Sequence, residues 1–142
     1  MEQTGTFSCS SQKVNQLQSN ISWGMRDNFL DIPTDCPQRD ERLGWMGDAQ
    51  VFSWTASYLR NTALFFTKWM RDVSADSSLE QGVPHVVPDI LGQYSSSAWS
   101  DAAVIVPWVV YQTYGDKRIL EENWKCMHEW VDYITNNCEE NG

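Results

Sequence analysis

The chain is poor in positive charge. Ten Lys and Arg stand against nineteen Asp and Glu in 142 residues, a formal net charge of -9 with a pI near 4.5. Phosphate backbones are bound by clustered cations, so nucleic acid is excluded as a partner, and the same deficit disfavours docking on an anionic membrane surface. No apolar run approaches the ~18 residues needed to span a bilayer. The opening MEQTGTFSCS has neither the basic start nor the apolar stretch of an export signal, which leaves the compartment unassigned. Cysteine is scarce and scattered, at Cys9, Cys36, Cys126 and Cys138. Four so dispersed fit neither a metal-ligand pattern nor a disulfide scaffold. The two histidines, His85 and His128, stand apart from any Cys or Ser constellation, so a zinc site or a nucleophilic triad has no support.

What the chain has in plenty is acid, gathered in one place. Asp31 to Asp48 reads DIPTDCPQRDERLGWMGD and packs Asp31, Asp35, Asp40, Glu41 and Asp48 together with Arg39 and Arg42, bracketed by Pro33, Pro37, Gly44 and Gly47. Prolines remove backbone donors and fix φ, and glycines open turns closed to other residues, so this composition predicts a long, rigid, irregular loop between helices. Such loops on a rigid scaffold are where function is usually carried.

The rest of the chain has helical periodicity, and its length suits a single domain. Residues 1–10 read as a disordered end or a linker. A first helix is expected from about Ser11, with Val14, Leu17, Ile21, Met25 and Phe29 as its apolar stripe. A second, capped by Asp48, runs to Arg60 with Val51, Trp54 and Tyr58 on one line and Phe52 and Leu59 on another. A third spans Asn61 or Thr62 to Ala75. From Asp76 to Ala98 the period vanishes, in a segment broken by Gly82, Pro84, Pro88 and Gly92, where Val83 and Val86-Val87 could form a brief strand or tuck under the loop. A fourth helix is expected from Ser100 or Asp101 to Tyr114, kinked or restarted at Pro107 and closed by Gly115; a fifth runs from Asp116 to about Asn137. Up-and-down alternation of these helices would bring both long loops to one end, with Glu41 and Trp99 around one cleft. Of the eight tryptophans most are expected in the core, with Trp45 and Trp99, in Gly/Ser-rich surroundings, left to line that cleft.

Clustered carboxylates beside an aromatic wall are the raw material of general acid catalysis, since like charge and an apolar surface both keep one carboxyl protonated. Glycoside hydrolysis uses that arrangement with a second carboxylate and aromatic surfaces for the sugar. The structural alternative is that Arg39 and Arg42 pair with Asp35, Asp40 or Asp48 and simply pin the loop. Calcium is a weaker reading, because the acid spacing does not match an EF-hand loop. No metal and no cofactor is expected.

The runs DNFLDIPTDCPQRDERLGWMGDAQ, GVPHVVPD, AWSDAAVIVPW and YGDKRIL resemble the catalytic domain of bacterial α-L-rhamnosidases of glycoside hydrolase family 78, from about Ser11 to Cys138. The resemblance implies an all-α fold, part of an (α/α)6 barrel, in an inverting hydrolase that removes terminal α-L-rhamnose from glycosides or polysaccharides. It implies that Glu41 is the general acid, that Asp35 and Asp48 contact sugar hydroxyls, that Arg39 or Arg42 is a supporting cation with Asp40 also on the substrate side, and that Trp45 walls the pocket. Trp99 and Asp101 are further pocket residues by the same likeness. The family's general base is a glutamate far downstream, and Glu139 and Glu140 sit in no comparable motif. Residues 1–142 thus read as a single fragment of a six-hairpin domain, inactive alone, with apolar helix faces that favour self-association. Two alternatives stand beside this reading: an (α/α)6 hydrolase or lyase for another sugar, and a non-catalytic carbohydrate-binding module.

Overall fold

The computed structural model describes residues 1–92 and 95–141, with side chains described as far as Asn137. Its described residues form five helices, α1 (Gln12–Asn28), α2 (Met46–Leu59), α3 (Ala63–Asp76), α4 (Ala102–Tyr114) and α5 (Arg118–Asn141), and isolated bridges in place of any strand. The fold is all-α as expected. Of the two outcomes open to Val83 and Val86-Val87 the structure shows the second: all three are buried under the loop, with one bridge, Trp45 to Val86, in place of a strand.

The closest packing is between α2 and α4, α3 and α4, α4 and α5, and α3 and α5. Alternate helices are therefore neighbours, which is what two layers of a helical barrel require. The core between them is Met46, Ala49 and Ala56 of α2, Phe66, Trp69, Met70 and Val73 of α3, Ala102, Ala103, Val106 and Val110 of α4, and Ile119, Cys126 and Trp130 of α5. Small residues on α2 and α4 let those two helices approach, and large ones on α3 fill the space outside them. The Tyr114 hydroxyl closes the far end, accepting from Thr62 N–H at 2.8 Å and donating to the Arg60 carbonyl at 3.3 Å.

Four local expectations change. Helix α2 begins two residues before Asp48, with Trp45 at the cap position, so Asp48 stands in the first turn where it meets the positive end of the helix. Pro107 lies inside α4, which runs through it to Tyr114 without a restart; Gly115, at φ 68°, closes it with its N–H on Tyr111 O. Helix α5 continues to Asn141, past the expected stop. The first ten residues carry no helix, yet residues 2–5 are hydrogen-bonded to the end of α2 through Thr4 N–H and Gly5 N–H on Leu59 O, and Asn61 N–H on Glu2 O. The side chains of Cys138, Glu139 and Glu140 lie outside the described residues; Cys9, Cys36 and Cys126 are free thiols.

The apolar stripes are only partly covered. Along α1, Met25 and Phe29 are buried, whereas Val14 and Leu17 are exposed. Phe29 anchors that end, stacked on Phe65 at 4.8 Å and edge-on to Phe52 and Phe66. Val51 and Tyr58 of α2 stay open to solvent, Trp54 nearly so. Tryptophan departs furthest from expectation: Trp69 and Trp130 are buried, while Trp23, Trp54, Trp99, Trp108 and Trp124 are all exposed by 40% or more. Periodicity shows that a ring lies on an apolar face, but not whether these residues supply a neighbour for it.

Candidate active site

Both long loops reach the same end of the helices and are tied to each other by backbone. Met46 N–H donates to His85 O at 2.8 Å and Val87 N–H to Gly44 O at 2.9 Å. The approach demands glycine at 44, since a Cβ there would lie 2.1 Å from the Val87 carbonyl oxygen. The loop before α2 is thus clamped to the loop before α4, and the site inherits the rigidity of both.

Within the first loop a chain of contacts runs through the acids. Leu43 N–H donates to Asp35 Oδ1 at 2.9 Å. Arg39 reaches Asp35 Oδ2 at 3.4 Å with one nitrogen and Glu41 Oε2 at 2.9 Å with Nε. Trp45 Nε1–H donates to the other Glu41 oxygen, Oε1, at 2.9 Å. Two donors on two oxygens fix the plane of the Glu41 carboxyl. Arg42, held at a left-handed φ of 54°, turns away, donating to Pro37 O and pairing loosely with Asp40, whose side chain is fully exposed. The two arginines therefore divide between the two readings: Arg39 bridges site carboxylates, and Arg42 pins the loop.

Asp35, Cys36 and Glu41 bring their ligand atoms within 4.8 Å of one another. Arg39 already spans the two carboxylates, so the positive charge such a cluster would draw from a cation is supplied by a guanidinium. Burial, then the adjacent Asp35 carboxylate, pushes the Cys36 thiol up and keeps it protonated.

A cavity of about 630 Å³ opens beside this chain. One wall is the end of α1 with Met25, Asn28 and Phe29; the other is the start of α2 with Gly47, Asp48 and Gln50; Asp35 and Trp99 also face it. Apolar surface with a few convergent polar groups is the usual make-up of a small-ligand site. The two cavity aspartates are pushed apart. Burial works to raise Asp35, but hydrogen bonds from the Cys36 thiol and backbone N–H groups, with the Arg39 charge, outweigh it and hold the carboxyl below its ordinary value. Partial burial against the cavity wall, and then the charges of Asp35 and Glu41, push Asp48 up.

Of the residues singled out in the sequence, Asp35, Asp48 and Trp99 line the cavity, and Arg39, Glu41 and Trp45 follow behind Asp35 as one, two and three successive contacts. Asp40 and Asp101 are not brought to it. Asp101 spends both oxygens inside the fold, Oδ1 on Trp130 Nε1–H at 3.0 Å and Oδ2 on Ala98 N–H at 2.7 Å. The contribution of α1 was missed, because Asn28 at the end of an amphipathic helix carries no local mark of a site. Gln50 was missed too, although its buried Oε1 has no hydrogen-bond partner among the described residues.

A family model described as the bacterial alpha-L-rhamnosidase 6 hairpin glycosidase domain matches residues 2–141. An alpha-L-rhamnosidase of Formosa agariphila is 51% identical over 130 residues, covering 91% of this chain and 14% of the relative. One of Streptomyces avermitilis is 43% identical over 133 residues, covering 92% of this chain and 13% of the relative. Among solved structures, the Streptomyces avermitilis alpha-L-rhamnosidase complexed with L-rhamnose superposes with a TM-score of 0.90 at 42% identity, over 94% of this chain and 13% of that one. The alpha-L-rhamnosidase from Dictyoglomus thermophilum gives 0.91 at 38% identity, over 95% and 15%. The chain thus spans 13–14% of the length of the first curated relatives it matches.

Proposed function

The chain belongs to the bacterial α-L-rhamnosidase six-hairpin glycosidase family, and from that premise we propose that it forms part of an inverting hydrolase of terminal α-L-rhamnosides and carries the acid side of its site. In this reading Glu41 protonates the departing glycosidic oxygen. A carboxyl oxygen offers two lone-pair positions, so a proton can occupy one while Trp45 or Arg39 holds the other. Asp35, ionised and fixed by Arg39 and Leu43 N–H, accepts from a sugar hydroxyl, and Asp48 does so from the opposite wall. Trp99 offers the apolar surface on which the ring and methyl group of a 6-deoxy sugar settle.

The observation that carries the proposal is the continuous Asp35–Arg39–Glu41–Trp45 chain of contacts beside a cavity that Asp48 and Trp99 also line. Inversion asks for a second carboxylate ~6.5–9.5 Å from the acid to activate water. We assign none among these residues, so the segment by itself is inactive and the complete enzyme supplies the base. The substrate class is a rhamnose-containing glycoside or polysaccharide.

The test is hydrolysis of aryl α-L-rhamnosides by the complete enzyme beside a panel of other aryl glycosides. Cleavage confined to the rhamnoside supports the reading. Cleavage of a different sugar alone moves the protein to another (α/α)6 specificity, and no cleavage at all makes the site a carbohydrate-binding platform.

A further inference from the structure

Trp99 is held in place by more groups than an exposed ring on a loop requires. Its indole lies against Gly47, where a Cβ would come within 3.1 Å of two ring atoms. The residue before it, Ala98, adopts φ 73°, a left-handed conformation that a side chain occupies at a cost of about 1 kcal/mol. That turn is kept by Asp101, which accepts Ala98 N–H at 2.7 Å while tied to Trp130 of α5. The imidazole of His85 lies 5.7 Å from the indole, tilted 45°, and its Nε2 is 2.7 Å from the Ser96 hydroxyl three residues before Trp99. The His85 carbonyl meanwhile accepts Met46 N–H, next to Gly47. His85 thus joins the start of α2, the loop before α4 and the ring between them, without lining the cavity itself.

We infer that His85 is a positioning residue that sets the Trp99 indole against Gly47, so that it governs sugar affinity through Trp99 and touches no reacting atom. The inference rests on the reading of the cavity as a rhamnoside site. It makes Asp101 a second support of the same ring, in place of the sugar contact that the sequence suggests.

The experiment measures kcat and KM of the complete enzyme on an aryl α-L-rhamnoside for wild type, His85→Ala, His85→Gln, Ser96→Ala, Trp99→Ala and the double variant His85→Ala/Trp99→Ala. Losing the ring contact should raise KM about three- to tenfold in His85→Ala with kcat within about twofold. His85→Gln, which can still reach the Ser96 hydroxyl, should recover part of that loss. Ser96→Ala removes only a hydroxyl from an exposed loop residue and should move KM in the same direction, which keeps the test alive if His85→Ala folds poorly. On the Trp99→Ala background His85→Ala should add nothing to KM, because its effect passes through the missing ring. An equal KM increase on that background, a fall in kcat to match, or an unchanged KM in both His85→Ala and Ser96→Ala overturns the inference. A wild type that leaves the rhamnoside intact overturns the substrate reading first and this inference with it, so the two failures are told apart before any variant is made.

Discussion

The indole N–H of Trp45 points at Glu41 Oε1 across 2.9 Å, while the opposite oxygen of the same carboxyl faces Arg39 Nε at an equal distance. Trp45 is also the N-cap residue of α2. The orientation of the proposed acid is therefore coupled to the helix start that carries Gly47 and Asp48, so one rigid unit positions both the proton donor and a cavity wall.

Replacing Trp45 with Phe keeps the ring and removes the donor. A hydrogen bond to an ionisable carboxyl contributes about 1.5–3 kcal/mol, so kcat of the complete enzyme should fall roughly tenfold to a hundredfold. KM should hardly change. Steady-state kinetics on an aryl rhamnoside measure the split, and an unchanged kcat would mean that the contact only stabilises the loop.

Glu41→Gln should lower kcat by roughly 10² to 10⁴ for poor leaving groups, and by less for nitrophenolate-type groups that depart without a proton. Asp48→Asn, by contrast, should lose rate to a similar extent whatever the leaving group. If the leaving-group dependence follows Asp48 instead, the raised carboxyl on the cavity wall is the donor and Glu41 supports it.

The opposed shifts of the two aspartates predict opposite pH behaviour. Asp48 is raised in the folded state above its ordinary 3.8, so its charge opposes folding at neutral pH, and that cost disappears as pH falls through the raised value toward 3.8. Asp48→Asn should therefore raise Tm at pH 7, and the gain should shrink to nothing near pH 4. Asp35 is lowered from its ordinary 3.8; the stability it contributes is present above that value and lost as pH falls through the depressed one. Asp35→Asn should accordingly lower Tm at pH 7. Melting followed by tryptophan fluorescence across this range checks both signs.

Phe29 joins the end of α1 to both α2 and α3 through three aromatic contacts. Phe29→Ala should destabilise by about 3–5 kcal/mol. It should also raise KM, since Phe29 and its neighbour Asn28 form one cavity wall. Denaturant melts with matched kinetics test this, and a stability loss without a KM change would detach that wall from binding.

The isolated segment should self-associate. Val51 and Leu64 are exposed by 80% and 86%, with Trp54, Tyr58, Trp108 and Trp124 also open. Exposed apolar side chains in this number favour association. Sedimentation should give a multimer at tens of micromolar, shifted toward monomer by Val51→Asp combined with Leu64→Asp; a monomeric wild-type segment would contradict it.

Much of this was legible in the linear chain because its causes are local. Gly115 had to end α4, since a left-handed closing residue favours glycine. The DCPQRDER run pairs Arg39 with Asp35 and Glu41 at separations of four and two residues, within reach in any compact turn. Helix boundaries fell within a few residues of expectation for the same reason, except at the end of α5.

The sequence by itself determined the helix order, the irregular loop and the identity of the charged groups in it, because propensity, turn chemistry and short-range pairing act over a few residues. Only the tertiary structure decided which tryptophans are buried, that Asp101 supports Ala98 and Trp130, and that Gly47, His85 and Trp99 form one stack. Those outcomes depend on which faces meet across 14 to 52 positions of chain. Packing at that range is set by the summed burial of whole helices, and no single residue's neighbours in sequence record it.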